Sequence, residues 1–368
     1  MSEAGHDAIR VAIIGAGIGA EHLAAYQELP SRFQVGMLCD TNRQRATDVA
    51  GSASSIEIAT DMAQALDSPD IDLVDICLPP HLHFDACVAA LRKGKHVICE
   101  KPLVGSLKEA EKLTDEVNKS GKMLSPVFQY RYGLATARLH ALIEAGLAGK
   151  PYVASLETHW NRPASYYDNA WRGTWSGEQG GAIFGHAIHS HDLLCTFFGN
   201  VKRLSAMTAT RVNDIETEDC ASVSFEMENG ALATSSVTLG AADDTSRLRF
   251  CFEHLTAQSG TKPYAPADDA WTFSARGNAS QQAIDECVAA IDHAYNGYAG
   301  FFNALANAMH TKSGYEVTLD DGRRSIELVS AIYYAAHHAE VVDLPLAPSH
   351  PYFAGWTDYS RGGTFKER

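Results

Sequence analysis

The first 128 residues alternate, with little interruption, between short Val/Ile-rich runs and longer stretches whose apolar residues recur at helical spacing. "IRVAIIGAG", "FQVGMLCD", "IDLVDICLPP", "KHVICEKP" and "KMLSPVFQY" read as strands; "IGAEHLAAYQEL", "TNRQRATDVAG", "HFDACVAALRKG" and "SLKEAEKLTDEVNKSG" read as helices. A weaker pair lies in "SIEIATDMAQAL". This rhythm leaves a chain few options, because successive strands joined through helices run parallel and need cover on both faces. The pattern changes near Gln129. From Pro151 onward period-two alternation dominates, as in "CASVSFEMENGALATSSVTLG", where "ENG" suits a hairpin turn and a mostly antiparallel sheet. "GGAIFGHAIHSHDLLCTFFG" and "DDGRRSIELVSAIYYAAHHAE" read as long helices, and the tail from Leu344 is irregular.

A length of 368 residues accommodates two domains. The expected fold class is α/β, with an N-terminal Rossmann-type doubly wound parallel sheet over residues 1–128. A C-terminal α+β domain with a large, mostly antiparallel open sheet would follow over 129–368, serving substrate binding and oligomerisation. "VAIIGAGIGAEHL" sets Gly15, Gly17 and Ala20 in a G-x-G-x-x-G/A arrangement between the first strand and the first helix. Gly15 permits the tight turn, Gly17 lets backbone approach a pyrophosphate, and Ala20 allows close helix packing. Asp40 ends the next strand, at the offset where an acid accepts hydrogen bonds from the adenosine ribose and repels a 2′-phosphate. The alternative for Asp40 is a cap on the helix that follows. The expected cofactor is NAD, with Arg43 the feature that would suit NADP.

A formal net charge of −15 and the lack of a Lys/Arg block argue against nucleic acid and anionic membranes as partners. The eight cysteines include no C-x-x-C pair and read as reduced core thiols of a cytoplasmic protein. The polar N-terminus "MSEAGHDAIR" carries no signal segment, and no apolar stretch approaches the ~20 residues of a spanning helix. Sixteen histidines lack the spacings that hold zinc, so no metal is expected.

"CLPPHLHFDACVAALRKGKHVICEKPL", with the glycine turn, resembles the T-P-N-x-x-H…G-K-H-V-x-x-E-K-P run of the glucose-fructose oxidoreductase / inositol dehydrogenase (Gfo/Idh/MocA) family. "QGGAIFGHAIHSHDLL" and "DGRRSIELVSAIYYAA" extend the likeness over nearly the whole chain. The resemblance implies that Lys101 lies beside the nicotinamide and the substrate hydroxyl, before a commonly cis proline. Its ammonium, next to a positive cofactor, would then release a proton more readily. Glu100 would offset that charge or hold the nicotinamide ribose; read without the family, Glu100 and Lys101 are a surface ion pair. The same resemblance gives a cofactor set of Gly15, Gly17, Ile18, Gly19, Asp40, Arg43, Leu78, Pro79, His83, Glu100, Lys101 and Gln129.

In "GAIFGHAIHSHDLL", His186, His189 and Asp192 follow at i, i+3 steps on one helix face. Polyol-oxidising members of the family show D-x-x-x-H, whose histidine takes the substrate proton. His189 matches that histidine, while Gly185 stands where the aspartate would be, with His186 a substitute polar group. An imidazole titrating near about 6.5 suits such proton removal. The alternative is a set of core histidines, with Asp192 orienting them. "ETHWNRPASYYDNAWRGTWSGEQGG" gathers Trp160, Arg162, Tyr166, Tyr167, Trp171, Arg172 and Trp175, aromatic faces beside donors that suit a sugar or cyclitol ring. The expected substrate set is Lys101, Trp160, Arg162, Trp171, Arg172, His186, His189 and Asp192. The expected activity is hydride transfer between a secondary alcohol of a sugar, glycoside or cyclitol and the nicotinamide, with catalytic Lys101, His189 and His186. Alternatives are an NAD-dependent redox-assisted glycosidase or lyase and a non-catalytic dinucleotide-binding regulator. The resemblance further implies a homodimer or homotetramer.

Overall fold

The computed structural model describes residues 8–51, 55–311 and 316–356. The N-terminal segment read as lacking a signal, up to residue 7, and the tail from residue 357 lie outside the described residues. Contacts divide the chain into two compact units, the first comprising 1–104, 109–127 and 298–322, the second 105–108, 128–297 and 323–368.

In the first unit the Val/Ile-rich runs form β1 (Ile9–Ile14), β2 (Phe33–Cys39), β3 (Glu57–Ala59), β4 (Leu73–Ile76), β5 (His96–Cys99) and β6 (Leu124–Pro126). Between them lie α1 (Gly19–Gln27), α2 (Arg43–Ala50), α3 (Met62–Asp67), α4 (His83–Arg92) and α5 (Leu107–Ser120). The strands pair in the order β3-β2-β1-β4-β5-β6, all parallel. Strand order therefore reverses between β1 and β4, and in such sheets ligands bind outside the carboxyl ends of the strands at that point. Leu73, Val74, Asp75 and Ile76 of β4 are all buried, as a doubly covered strand requires.

Residues 298–322, read from sequence as part of the second domain, pack in the first unit. There Phe302 stacks on Tyr26 with ring centroids 3.9 Å apart, and the Ser125 hydroxyl donates to the Val317 carbonyl at 2.6 Å.

The second unit contains α6 (Leu134–Glu144), β7 (Pro151–Asn161), α7 (Ile188–Phe198), β8 (Val201–Ala209), β9 (Cys220–Met227), β10 (Leu232–Thr238), β11 (Gly240–Phe252), β12 (Leu255–Gln258), β13 (Thr272–Ala275) and α8 (Gln281–Ala289). After α9 (Gly297–Thr311) and α10 (Leu319–His338), β14 (Val342–Asp343) closes the sheet order β13-β12-β11-β7-β10-β9-β8-β14. The pairing of β7 with β10 is parallel and the others are antiparallel. β9 and β10 form the expected hairpin, with Gly230 at φ 87° in its turn. Strand residues alternate buried and exposed: α7 covers one face, while Val153, Met207 and Leu232 stand exposed on the strands. All eight cysteines are thiols, outside any disulfide. Among the described residues no helix is long and apolar enough to cross a membrane.

Candidate active site

The carboxyl ends of the first unit's strands carry the glycine turn. Gly15 has φ 105°, and a Cβ there would lie 2.4 Å from the Cys77 carbonyl oxygen, so only glycine fits where β1 and β4 diverge. A Cβ on Gly17 would meet nothing within 4 Å, which leaves room for a ligand over the turn. Sequence reading gave the close-packing place to Ala20; the structure gives it to Gly19, whose Cβ would come 2.8 Å from Ile13 Cγ2, whereas Ala20 is half-buried. Ile18 is exposed, and no side chain caps the start of α1.

Asp40 sits at the end of β2 with both oxygens engaged. Oδ2 accepts from the Ala16 N–H at 2.8 Å and Arg45 Nε at 2.9 Å; Oδ1 accepts from the Asn42 N–H at 2.8 Å and Arg45 NH2 at 2.7 Å. Burial works to raise its pKa, but the Arg45 guanidinium and the backbone donors outweigh this and hold the carboxyl below its ordinary value. It is not the cap of α2; Asn42 is, accepting from the Arg45 N–H at 3.1 Å. Arg43 reaches the Ile58 carbonyl instead, so Arg45 is the arginine that meets the acid. Room over Gly17, an uncapped helix start and an ionised Asp40 fit the pyrophosphate and adenosine ribose of a dinucleotide.

Lys101 follows β5 and is half-buried, in a cis peptide with Pro102. The turn is braced from two sides. His83 lies wholly buried with Nδ1 2.7 Å from the Pro102 carbonyl and Nε2 2.8 Å from the Leu78 carbonyl, tying the β5 exit to the β4 exit. Burial depresses its pKa although both carbonyls favour the protonated ring. Its ring nitrogens thus serve the backbone of Leu78 and Pro102; Pro79, between them in sequence, precedes a short 3-10 turn, Pro80–Leu82.

On the other side Glu100 is buried, its Oε2 accepting from the Lys101 N–H at 3.0 Å. Its Oε1 lies 3.0 Å from His22 Nε2 and accepts from the Tyr298 hydroxyl at 3.3 Å. The other His22 nitrogen is 2.8 Å from Asp75 Oδ2, which also accepts from the Tyr26 hydroxyl at 3.0 Å. Cys77 Sγ is 3.4 Å from the same ring nitrogen. One imidazole between two carboxylates is favoured in its charged form: burial lowers its pKa, yet Asp75 and Cys77 bring it well above the ordinary value. Glu100 responds in the opposite sense, since His22 and Lys101 outweigh burial and lower its pKa. The ring, carboxylate and thiol atoms of His22, Asp75 and Cys77 lie within 4.8 Å of one another and hydrogen-bond among themselves.

His22, Asp75 and Tyr298 escaped the sequence reading. The available signals were a histidine on the apolar face of "IGAEHLAAYQEL" and an acid inside the apolar run "IDLVDICLPP".

In the second unit the helix of histidines begins with a π-helical turn, Ile183–Ala187, that leads into α7. His186 lies in that turn. Its ring meets Trp160 edge-on at 5.2 Å, and its Nε2 is 3.4 Å from the Tyr166 hydroxyl. His189 is buried, stacked on Tyr130 at 4.3 Å with Phe128 edge-on at 6.0 Å. Asp192 is gripped by Arg131, Nε to Oδ2 at 2.7 Å and NH2 to Oδ1 at 2.6 Å, a partner not anticipated from sequence. His191 points the other way, with Nε2 2.9 Å from the Ser235 hydroxyl and burial pushing its pKa down to about 4. Gln129 begins the 3-10 turn before Arg131, its Oε1 buried with no partner among the described residues.

The contacts of His186 and His189 meet through Pro263. Its carbonyl accepts from the Tyr130 hydroxyl at 3.2 Å and from Ser246 Oγ at 2.7 Å, and Ser246 Oγ accepts from Trp160 Nε1 at 3.1 Å. Trp160 is therefore a buried wall of β7. Arg162 spreads over the Trp160, Tyr166 and Tyr264 rings at 4.9, 5.2 and 5.5 Å and donates to Asp244 at 3.3 Å. Arg172 covers Tyr166 and Trp171 at 4.2 and 4.4 Å. A further buried acid, Glu218, receives the Gly181 N–H at 3.1 Å, the Ile183 N–H at 2.9 Å and the Tyr333 hydroxyl at 3.0 Å, anchoring the start of the π-helical turn.

A six-stranded parallel sheet with a dinucleotide-type glycine turn, carried with an eight-stranded, mostly antiparallel sheet, defines a class of nucleotide-dependent oxidoreductases. The "Oxidoreductase family, NAD-binding Rossmann fold" profile matches residues 9–128, and the "GFO/IDH/MocA C-terminal domain" profile matches 136–258. The chain belongs to the GFO/IDH/MocA family and carries its NAD-binding Rossmann domain. Levoglucosan dehydrogenase of Pseudarthrobacter phenanthrenivorans is 29% identical over 216 residues, covering 55% of this chain and 54% of that protein. Inositol 2-dehydrogenase of Streptomyces avermitilis is 31% identical over 145 residues, covering 39% and 42%. The chain thus spans about half the length of these curated relatives. The WlbA dehydrogenase from Bordetella pertussis, solved with NADH and UDP-GlcNAcA, matches with TM-score 0.80 at 25% identity, over 92% of this chain and 100% of that one.

Proposed function

We propose that the protein is an NAD-dependent dehydrogenase that oxidises a secondary alcohol of a sugar, glycoside or cyclitol, with Lys101 and His189 handling the hydroxyl proton. The observation that carries this reading is the Lys101 turn, a half-buried cation at the carboxyl end of β5 whose backbone is held by Glu100 and His83. A scaffold that fixes the backbone of a lysine at the carboxyl edge of the sheet that also carries a nucleotide-type glycine turn suits positioning. Relatives named for levoglucosan and inositol oxidation support the substrate class. Bound NAD would supply the hydride acceptor. Gly15, Gly17, Gly19 and Asp40 would hold it, Lys101 would orient the hydroxyl oxygen, and the His189 imidazole, fixed by Tyr130, would take the proton. Trp160, Arg162, Trp171 and Arg172 would offer ring faces and donors to the carbohydrate. The exposed Val153, Met207 and Leu232 would suit a sheet-to-sheet contact between copies of the chain.

The test is a panel of sugars, glycosides and cyclitols assayed for NADH formation, with Lys101→Ala and His189→Ala beside the native protein. Stoichiometric NADH from at least one alcohol, lost in both variants, is expected. Substrate cleavage without net NADH would replace the dehydrogenase by the redox-assisted glycosidase or lyase.

A further inference from the structure

We propose that Glu178 is a positioning residue of the dehydrogenase site, supplying at Gly185 the carboxylate that the histidine helix lacks there. The inference rests on the functional reading above and names a residue it did not use. Gly185 lies in the π-helical turn, its N–H donates to the Gly181 carbonyl at 2.8 Å, and its φ is outside the left-handed region that favours glycine. A Cβ on Gly185 would sit in ordinary contact with Oε1 of Glu178, at 3.8 Å, so the carboxylate lies beside this position. The carboxylate thus borders the space that a side chain at 185 would enter, one residue from His186 and one turn before His189.

Glu178 is buried and firmly held. Its Oε2 accepts from the Gly173 N–H at 2.6 Å and its Oε1 from Arg172 NH1 at 3.3 Å. Arg172 also donates to the Tyr166 hydroxyl, which faces His186. One carboxylate therefore fixes the loop of Tyr166, Trp171 and Arg172 and connects it to the histidine turn. Its charge also acts on Tyr166, Tyr167 and Tyr333, whose pKa values rise chiefly from burial and partly from the Glu178 charge, with Glu218 bonded to Tyr333. An aspartate at 185 and a glutamate at 178 would be two like charges in one space, which cannot both ionise freely. The two solutions exclude each other, and this chain uses the second.

The test compares Glu178→Gln, Gly185→Asp and the double variant, read by turnover against pH, by NAD affinity and by histidine carbon-13 NMR of the substrate-free protein, with His186 and His189 assigned by single substitution. Glu178→Gln is expected to lower kcat at least ~10-fold with NAD affinity unchanged, and to move the His186 titration to lower pH. Gly185→Asp alone is expected to lower kcat as well, by placing two carboxylates together, and to shift the pH profile. The double variant is expected to regain most of the turnover of the native protein. Unmoved histidine titrations together with no recovery in the double variant would overturn the proposal. Should Glu178→Gln not fold, Gly185→Asp decides: an unchanged pH profile and unchanged titrations would equally overturn it. If the native protein forms NADH from no alcohol, the functional reading fails, while the NMR titrations still report whether Glu178 governs the histidine turn.

Discussion

His22 Nε2 lies 3.0 Å from Glu100 Oε1, so the residue immediately before Lys101 is held from inside the first unit by a histidine 78 positions earlier. His22 in turn rests on Asp75, and Tyr298 closes the arrangement. The backbone that carries Lys101 is thus supported by a buried charge network, and losing one member of such a network leaves the others without compensation.

His22→Gln is therefore expected to destabilise the protein by about 3 to 5 kcal/mol, the usual cost of breaking a buried ion pair on one side. The pH dependence has a definite sign. His22 titrates above its ordinary 6.5 in the folded chain, so its contribution is complete below that pH and disappears as pH rises through the elevated value. Glu100 titrates below 4.5, so its contribution is complete above that pH and disappears as pH falls through the depressed value. The drop in melting temperature on His22→Gln, read as native minus variant so that other titrating groups cancel, should be largest between these limits and shrink as pH rises through the elevated value. A difference that keeps growing above neutrality would contradict the assignment.

Glu218 gives the opposite slope for a carboxyl. Burial, opposed by the Ile183 and Gly181 N–H groups and the Tyr333 hydroxyl, pushes its pKa up to about 7. A raised folded value means that stability is complete below about 4.5 and declines as pH climbs to about 7, by an amount of about 3 kcal/mol. Denaturant midpoints measured from pH 5 to 8 should show this decline, and Glu218→Gln should flatten it.

The glycine turn separates folding from binding. Gly15→Ala puts a Cβ 2.4 Å from the Cys77 carbonyl at positive φ and should leave little folded protein. Gly17→Ala has open space and should melt like the native chain, yet bind NAD at least ~10-fold more weakly, because the added methyl stands where backbone approaches pyrophosphate. Calorimetry of both variants with and without NAD checks the contrast.

Asp40→Asn should weaken NAD binding by about 1 to 3 kcal/mol and narrow the preference over NADP, since it removes the charge and frees Arg45 to meet a 2′-phosphate. Dissociation constants for the two nucleotides provide the check; an unchanged ratio would exclude Asp40 from the discrimination. Lys101→Ala should lower turnover at least ~100-fold while NAD binding persists.

What the sequence disclosed depended on how local each signal was. The parallel sheet was legible because every strand carries its own apolar run and every crossover its own helix, and Gly15, Asp40 and Lys101 all sit at strand ends that such a reading locates. His22 was not legible, because its meaning lies in acids 53 and 78 positions away, and a lone histidine in an apolar helix says nothing of them. That Arg45, and not the Arg43 singled out for NADP, is the arginine on Asp40 follows from helix phase, which residue spacing alone leaves open. Gly185 was noticed as an absence, but Glu178 lies in an irregular loop without periodicity to point back at the helix.

The late segment that returns to the first sheet bears on how this protein could be dissected. A gene stopped after codon 128 would encode all six parallel strands and still produce a damaged module, with Tyr26 stripped of Phe302, Glu100 of Tyr298 and Ser125 of the Val317 carbonyl. A minimal nucleotide-binding fragment of this polypeptide would need residues 298–322 grafted back through a linker before it could be expected to stay in solution.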